Sequence, residues 1–471
     1  MCASAASTSS WLKELTGASR QGRHAHALHL FFTGIRLRSS DRGAVHPHPA
    51  AVPTALRACA HLGDAASGRL IHALVLTRAA LASDAVAATA LLDMYAKCGL
   101  VASARRVFDE MPPRRDLVAW NALLAGYARH GLPERALALA VKMRGQGLRP
   151  DLVTWNAVVS GFALAGDDQM AGDLVGAMQE AGFQPDVVTW TSLVSGSVLN
   201  FQYDRARMLF RRMVASGTGV LPSSATIASI LPAFANVADM KRGKEVHGYA
   251  AVAGVEQDLT VSSALVDMYA KCGLVLEARR LFDKMVDRST VTWNSMIFGL
   301  ASSGHCQDAM GLFDQMLRDG ARPDHLTFTA ALTACSYGGM VELGKDLYRA
   351  MQEEHGVEPR LEHCACMVHL LGRAGRLAEA YGFIQAMMPL EPDCFVWGAL
   401  LGACRSHGNV ELAEVAAQRL LTVEPANAAN CLLLSGALAS AGRPNEVAKI
   451  KKLAKRRRMK KLDSCSWLET L

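Results

Sequence analysis

Leu117-Val-Ala-Trp-Asn121 begins a segment that ends Arg149-Pro-Asp151, and Leu152-Val-Thr-Trp-Asn156 begins the next, which ends Gln184-Pro-Asp186. A third, Thr290-Val-Thr-Trp-Asn294, closes on Arg322-Pro-Asp324, and each of the three is 35 residues long. Trp120, Trp155 and Trp190 fall at the same step. Leu91-Leu-Asp-Met-Tyr-Ala-Lys-Cys-Gly-Leu-Val101 returns almost unchanged as Leu265-Val-Asp-Met-Tyr-Ala-Lys-Cys-Gly-Leu-Val275, displaced by 174 residues. A fixed period of this size marks stacked supersecondary units that share one continuous core, so functional residues are sought along an extended surface and not in one pocket.

Within a unit the pattern predicts two helices, the first starting near the Trp and the second following a Gly-containing turn such as Lys97-Cys-Gly or Arg129-His-Gly. Ala136, Leu139 and Met143 mark one face of the second helix, and Gly147 with Pro150 supplies a permissive cap and a stop. Small residues at Ala104, Ala136, Ala171, Ala206, Ala278, Ala309, Gly344 and Ala380 are expected where two helices approach closely. Met111, Met143, Met178, Met213, Met285, Met316, Met351 and Met387 follow seven residues later in each unit. So regular a thioether series reads as gap-filling core packing in preference to metal binding or oxidation sensing.

At 471 residues a globular chain would hold about three domains, but a repeat array escapes that limit. With 51% apolar and 20% charged residues the chain can bury ample core. No apolar run reaches membrane-spanning length: the richest stretch, Ala73 to Ala96, is broken by Arg78, Asp84 and Asp93. The twelve cysteines are scattered with no CxxC pair, and Cys98 and Cys272 occupy one repeat position. They read as packing residues in a reducing compartment. The net charge of +7 is local, since Lys449 to Lys461 holds nine Lys and Arg and no acid. A near-neutral array argues against a simple polyanion-binding protein, and the basic run reads as a solvated helix end or a surface for phosphates or acidic partners. Met1 to Arg38 has one acid, Glu14, and several Arg, Ala and Ser, compatible with an organellar transit peptide, whereas Trp11 to Phe32 reads as a worn repeat.

A two-helix unit of 35 residues that opens Leu-Val-Thr-Trp-Asn and closes Pro-Asp resembles the pentatricopeptide repeat. Shorter units, Ala85 to Asp116 and Leu259 to Ser289, alternate with units carrying Leu56-Arg-Ala-Cys-Ala60 or Leu332-Thr-Ala-Cys-Ser336, an order similar to the plant PLS subfamily. Glu362-His-Cys-Ala-Cys-Met-Val-His-Leu-Leu-Gly-Arg-Ala-Gly-Arg376, then Val396-Trp-Gly-Ala-Leu-Leu-Gly-Ala-Cys-Arg405 and Cys465-Ser-Trp-Leu-Glu469, resemble the last S unit and the E1 and E2 motifs of its E subgroup. The resemblance covers nearly the whole chain. It implies an all-α fold, a right-handed α-solenoid superhelix. It divides the chain into a candidate targeting segment with a degenerate first repeat (1–48), the repeat array (49–393), E1 (394–427) and E2 with the basic run (428–471). In E2, Cys431 and Pro444 depart from the family's usual aromatic and tryptophan.

The resemblance further implies binding of single-stranded organellar RNA, about one base per unit, and recruitment of a cytidine deaminase to a nearby C. Each unit would present a polar side chain at its fifth residue and another at its last. A carboxylate accepts from an N–H of uracil or guanine, Asn or Thr chooses between them, and an apolar second residue wedges the bases apart. Carried over by position, Asn121 with Asp151, Asn156 with Asp186, and Asn294 with Asp324 match the uracil pair, and Thr89 with Asp116 the guanine pair. Thr191 with Ser223, in a unit two residues longer than its neighbours, leans toward adenine, and Ser263 with Ser289 toward weak purine preference. Val118, Val153, Val188 and Val291 are the wedges. Pro53, Ala228 and Thr329 with Arg360 belong to L-type units, which read poorly. The target implied by the family's register, with the last S unit at Ala365, is 5′-G-U-U-A-N-N-U-N-N-N-N-N-C. The competing reading of each Asn and Asp is helix capping.

A zinc deaminase requires His-x-Glu and Pro-Cys-x-x-Cys, and neither occurs. No catalytic residue, cofactor or metal is therefore assigned. The chain ends at Leu471, where longer relatives continue into a DYW deaminase, so the expectation is a deaminase supplied in trans with multiple organellar RNA editing factors as partners. His363, Cys364, Cys366 and His369 form the one tempting ligand cluster, yet they are read as helix packing. Splicing, RNA stability, translation, or a protein-binding scaffold remain alternative roles, and the mitochondrion is favoured over the chloroplast.

Overall fold

The structure is a computed structural model that describes residues 2–42, 48–77, 84–111, 116–215, 219–387, 390–423, 435–436, 438–439 and 447–448. Among the described residues there are 24 α-helices, one short 3-10 turn at Pro49–Ala51 and no strand. The chain divides into two compact units, Met1–Ala233 and Phe234–Leu471, and the division falls inside helix Ser224–Asn236. Each unit is a series of antiparallel helical hairpins, as the period requires.

Leu117–Arg129 and Pro133–Gly145 form one hairpin, Leu152–Ala165 and Asp168–Glu180 the next. The first helix of each packs on its own second helix and on the first helix of the following hairpin, and Thr290–Ser302, His325–Gly338, Leu361–Arg373 and Cys394–His407 repeat the arrangement. Small residues set that approach. A Cβ on Gly196 would stand 2.4 Å from the Ala163 carbonyl oxygen, and one on Gly161 3.1 Å from the Ala128 Cβ. The same meeting joins Gly126 with Ala96, Gly299 with Ala270, and Gly372 with Ala403.

The L-type hairpins use another device. Their second helices carry Gly68, Gly243 and Gly344, against which Met94, Met268 and Leu370 of the following first helix are laid. A bulky residue thus replaces the small one wherever the preceding hairpin offers glycine. Volume is conserved across the seam, which close-packed interiors demand.

The small-residue series is buried throughout, from Ala104 to Ala380. In the methionine series, Met143, Met178, Met213, Met316 and Met351 are fully buried on second helices, whereas Met111, Met285 and Met387 follow second helices of only ten residues and cap or flank their ends. Met285 is only half-buried. Trp120 and Trp293 fill the core against Phe108 and Phe282, edge to face at 4.9 Å. Burial of each such ring contributes on the order of 2–3 kcal/mol before entropy is counted.

At the N-terminal end, helices Cys2–Arg20 and His24–Arg42 pair, with Leu15, Ala18, Ala27 and Phe31 buried and Trp11 Nε1 donating to the Leu30 carbonyl at 2.9 Å. The hairpin Cys394–His407 with Val410–Val423 buries Trp397, Leu400 and Leu420 together with Leu438. Cys431, Pro444 and the basic run Lys449–Lys461 lie outside the described residues. No helix of the described residues is long and apolar enough to cross a membrane.

Candidate nucleic-acid interface

The three expected Asn–Asp pairs come together, and a third residue joins each. Asn121 sits on its first helix and donates from Nδ2 to Asp151, at 3.1 Å to Oδ1 and 3.3 Å to Oδ2. Asp151 caps the next first helix by accepting the Thr154 N–H at 2.8 Å, while its own N–H donates to the Thr154 hydroxyl oxygen. The Thr154 hydroxyl lies 2.7 Å from Asn121 Oδ1, to which it donates. A carboxylate beside one end of the amide and a hydroxyl donor beside the other decide which end is nitrogen.

The same triangle recurs at Asn156, Asp186 and Thr189, and at Asn294, Asp324 and Thr327. Capping therefore accounts for the Asp residues but not for the Asn residues, which bond across the seam. The amides do not stand free along a channel: Asn121, Asn156 and Asn294 are only 8%, 7% and 8% exposed. One N–H and one lone pair of each amide remain outside the triangle, and Asp186 and Asp324 use only Oδ1 within it. Burial pulls the Asp151 and Asp324 carboxyls upward, but hydrogen bonds from the neighbouring Thr and Asn outweigh it and hold both below the usual carboxylate range. Both are acceptors only at neutral pH.

Val118, Val153, Val188 and Val291 border these seams and are between 54% and 62% exposed. Val86, Leu326 and Phe395 share the second position of their units and are exposed as well. They were legible from the alignment of units but carried no reading of their own.

Two of the remaining pairs are joined differently, and the third is not joined. Thr226 bridges Thr191 and Ser223, at 2.7 and 3.0 Å, and Thr292 bridges Ser263 and Ser289, at 2.6 and 2.9 Å. Since Ser223 and Thr226 repeat the spacing of Asp151 and Thr154, the two extra residues of that unit lie upstream of Ser223. Thr89 has no such bridge. Ala119 stands where Thr would, Asp116 caps the Ala119 N–H at 2.9 Å, and the buried Thr89 hydroxyl has no partner.

The tempting ligand cluster is occupied otherwise. His363 accepts the Arg360 N–H at Nδ1 and donates from Nε2 to the His325 carbonyl at 2.7 Å, so it is the neutral Nε2–H tautomer, and burial lowers its pKa. His369 Nδ1 lies 2.7 Å from the Ser336 hydroxyl, and Cys366 Sγ lies beside Thr333. Cys59, Cys98, Cys272, Cys306, Cys335, Cys364, Cys366, Cys394 and Cys404 are free thiols, and burial pushes those of Cys59 and Cys335 up to about 12.

Comparison with known proteins matches the PPR repeat family at residues 115–164, 150–199 and 288–337, the PPR repeat at 86–112, 188–218 and 261–289, and the E motif at 407–469. A pentatricopeptide repeat-containing protein of Arabidopsis thaliana is 52% identical over 420 residues, covering 89% of this chain and 78% of the relative. Two others from that plant, one named mitochondrial and one chloroplastic, are 34% and 37% identical over 98% and 85% of this chain. The chain spans only 63% and 50% of their lengths. Among solved structures, the pentatricopeptide repeat protein PPR10 in complex with an 18-nucleotide RNA element aligns with a TM-score of 0.56 at 16% identity, covering 96% of this chain and 80% of that one.

Proposed function

Because the chain belongs to the pentatricopeptide repeat family, we propose that it binds single-stranded organellar RNA and marks a site for C-to-U editing by a deaminase supplied in trans. The observation that carries this is the recurrence of one arrangement, an Asn–Asp pair beside an exposed valine, at Asn121, Asn156 and Asn294. Uracil offers one N–H donor flanked by two carbonyl oxygens. A free lone pair of the carboxylate accepts the former, the second amide N–H donates to one of the latter, and the valine separates that base from the next. A relative solved with RNA, and relatives named for mitochondria or chloroplasts, support an organellar strand as the ligand, and we favour the mitochondrion. The E motif supports partner recruitment, and no catalytic residue is assigned to this chain.

The burial of the three amides favours a second contribution of the same residues. Each triangle bolts one hairpin to the next, so base reading and hairpin stacking are coupled. Replacing the U that faces Asn294 by C in a synthetic RNA should remove a charge-assisted hydrogen bond of about 1.5–3 kcal/mol, roughly tenfold or more in Kd. Indifference to every such change rejects base reading. Sequencing organellar cDNA from a null plant separates editing from splicing, stability or translation, since editing predicts one C left unconverted.

A further inference from the structure

Thr154, Thr189 and Thr327 take the third position of their units, and their side chains are sealed, with the residues 1%, 0% and 0% exposed. None of them can touch a bound base. Each hydroxyl oxygen accepts the backbone N–H of Asp151, Asp186 or Asp324, at 3.2, 3.1 and 3.0 Å, which leaves its single proton to donate. The amide oxygen of the preceding unit's Asn stands 2.7, 2.6 and 2.6 Å away, nearer than the carboxylate oxygen at 2.8, 3.0 and 3.0 Å. The proton therefore goes to the amide.

Two anchors thus fix each amide, the hydroxyl at Oδ1 and the carboxylate at Nδ2. The last torsion of an Asn side chain is broad and roughly two-fold, so one anchor alone would let the plane turn. The direction of the hydrogen bonds is fixed as well, because a carboxylate only accepts and an amide nitrogen only donates. Other seams lack that constraint. Thr226 and Thr292 are also sealed at third positions, but they lie between hydroxyls, Thr191 with Ser223 and Ser263 with Ser289, each able to donate or accept. Ala119 provides no bridge to the Thr89 hydroxyl.

We propose that the third residue of the following unit is a positioning residue for base recognition: Thr154, Thr189 and Thr327 orient the amides of Asn121, Asn156 and Asn294 so that a nitrogen, not an oxygen, meets the base. This deepens the RNA-binding reading above and rests on it. An N–H so held matches a carbonyl of uracil and opposes another donor at the exocyclic amino group of cytosine. Once the hydroxyl is gone, a turned amide presents Oδ1, which accepts from that amino group, and the preference for U over C narrows.

The test measures Kd of the full chain for two RNAs that carry the pattern given above, one with U and one with C facing Asn156. Their ratio is read within one preparation, so a smaller folded fraction in a variant cancels from it. Thr189→Val keeps the shape and removes the hydroxyl, and the preference for U should fall about three- to tenfold. The preference at the position facing Asn294 should stay as it was, and Thr189→Ser should restore the one at Asn156. Equal weakening of both RNAs by Thr189→Val means that the hydroxyl only joins hairpins, and overturns the proposal. A parallel fall at Asn294, or a Ser variant no better than Val, overturns it too. If the unaltered protein does not distinguish U from C at any of the three positions, base reading itself is overturned and this inference with it.

Discussion

The seam before Val187–Leu199 and the seam before Leu361–Arg373 are built from the same hairpin and end differently. In the first, Asn156, Asp186 and Thr189 satisfy one another, and Gly196 lets the backbones meet at Ala163. In the second, Thr329, Arg360 and His363 hold the corresponding places, Leu370 is laid against Gly344, and a groove opens beside Thr329. The two seams thus differ at all three of these repeat positions, and a groove lies beside the one that lacks the triangle.

The contrast breaks most sharply at the closing residue. Asp186→Ala removes a helix cap and leaves the side-chain amide N–H of Asn156 and the backbone N–H of Thr189 without their acceptor, which should cost about 2–3 kcal/mol. Arg360→Ala, at the same place in the open seam, should stay within about 0.5 kcal/mol. Urea unfolding, with amide exchange in Val187–Leu199 for the first and in Leu361–Arg373 for the second, measures both, and equal effects would erase the distinction. Thr189→Val keeps the shape and removes only the bridging hydroxyl, so the expected loss is about 1–2 kcal/mol by the same assay.

Ala119→Thr sharpens the contrast from the other side. It would give the orphaned Thr89 hydroxyl the bridge that Thr226 and Thr292 provide elsewhere, and should raise the unfolding midpoint by the equivalent of about 0.5–1.5 kcal/mol. A fall in the midpoint would mean that the hydroxyl cannot enter the seam. Acidification separates the two seams by pH. The contribution of neutral His363 is fully present above the ordinary histidine value of about 6.5 and is lost as pH falls from there through its lowered folded value. Asp151 and Asp324, also lowered on folding, hold their contribution until pH drops below about 4. Amide exchange should therefore rise in Leu361–Arg373 at pH 5–6 before it rises in Leu152–Ala165 or His325–Gly338, and the reverse order would contradict these protonation states.

Much of this was legible in one dimension. The step from Trp120 to Trp155 to Trp190 sets the hairpin period, and the alignment of units groups Asn121 with Asp151 and exposes the valine column. Thr154, Thr189 and Thr327 stand at the third position of their units, in Thr-Trp-Asn, Thr-Trp-Thr and Thr-Phe-Thr, and read only as framework, because their role depends on an amide 33 residues earlier. The pairing of Gly68, Gly243 and Gly344 with Met94, Met268 and Leu370 escaped for a similar reason. Each member looks ordinary within its own helix.

By itself the sequence determined the repeat, the helices, their buried faces and which residues share a position, since these follow from periodicity and near-neighbour spacing along one chain. Only the tertiary structure decided that the amides are engaged and not free, that Thr89 lacks a bridge and that a cavity opens beside Thr329. Those outcomes depend on distances between side chains of successive hairpins, where one hydroxyl exchanged for a methyl or an imidazole redirects every hydrogen bond at the seam.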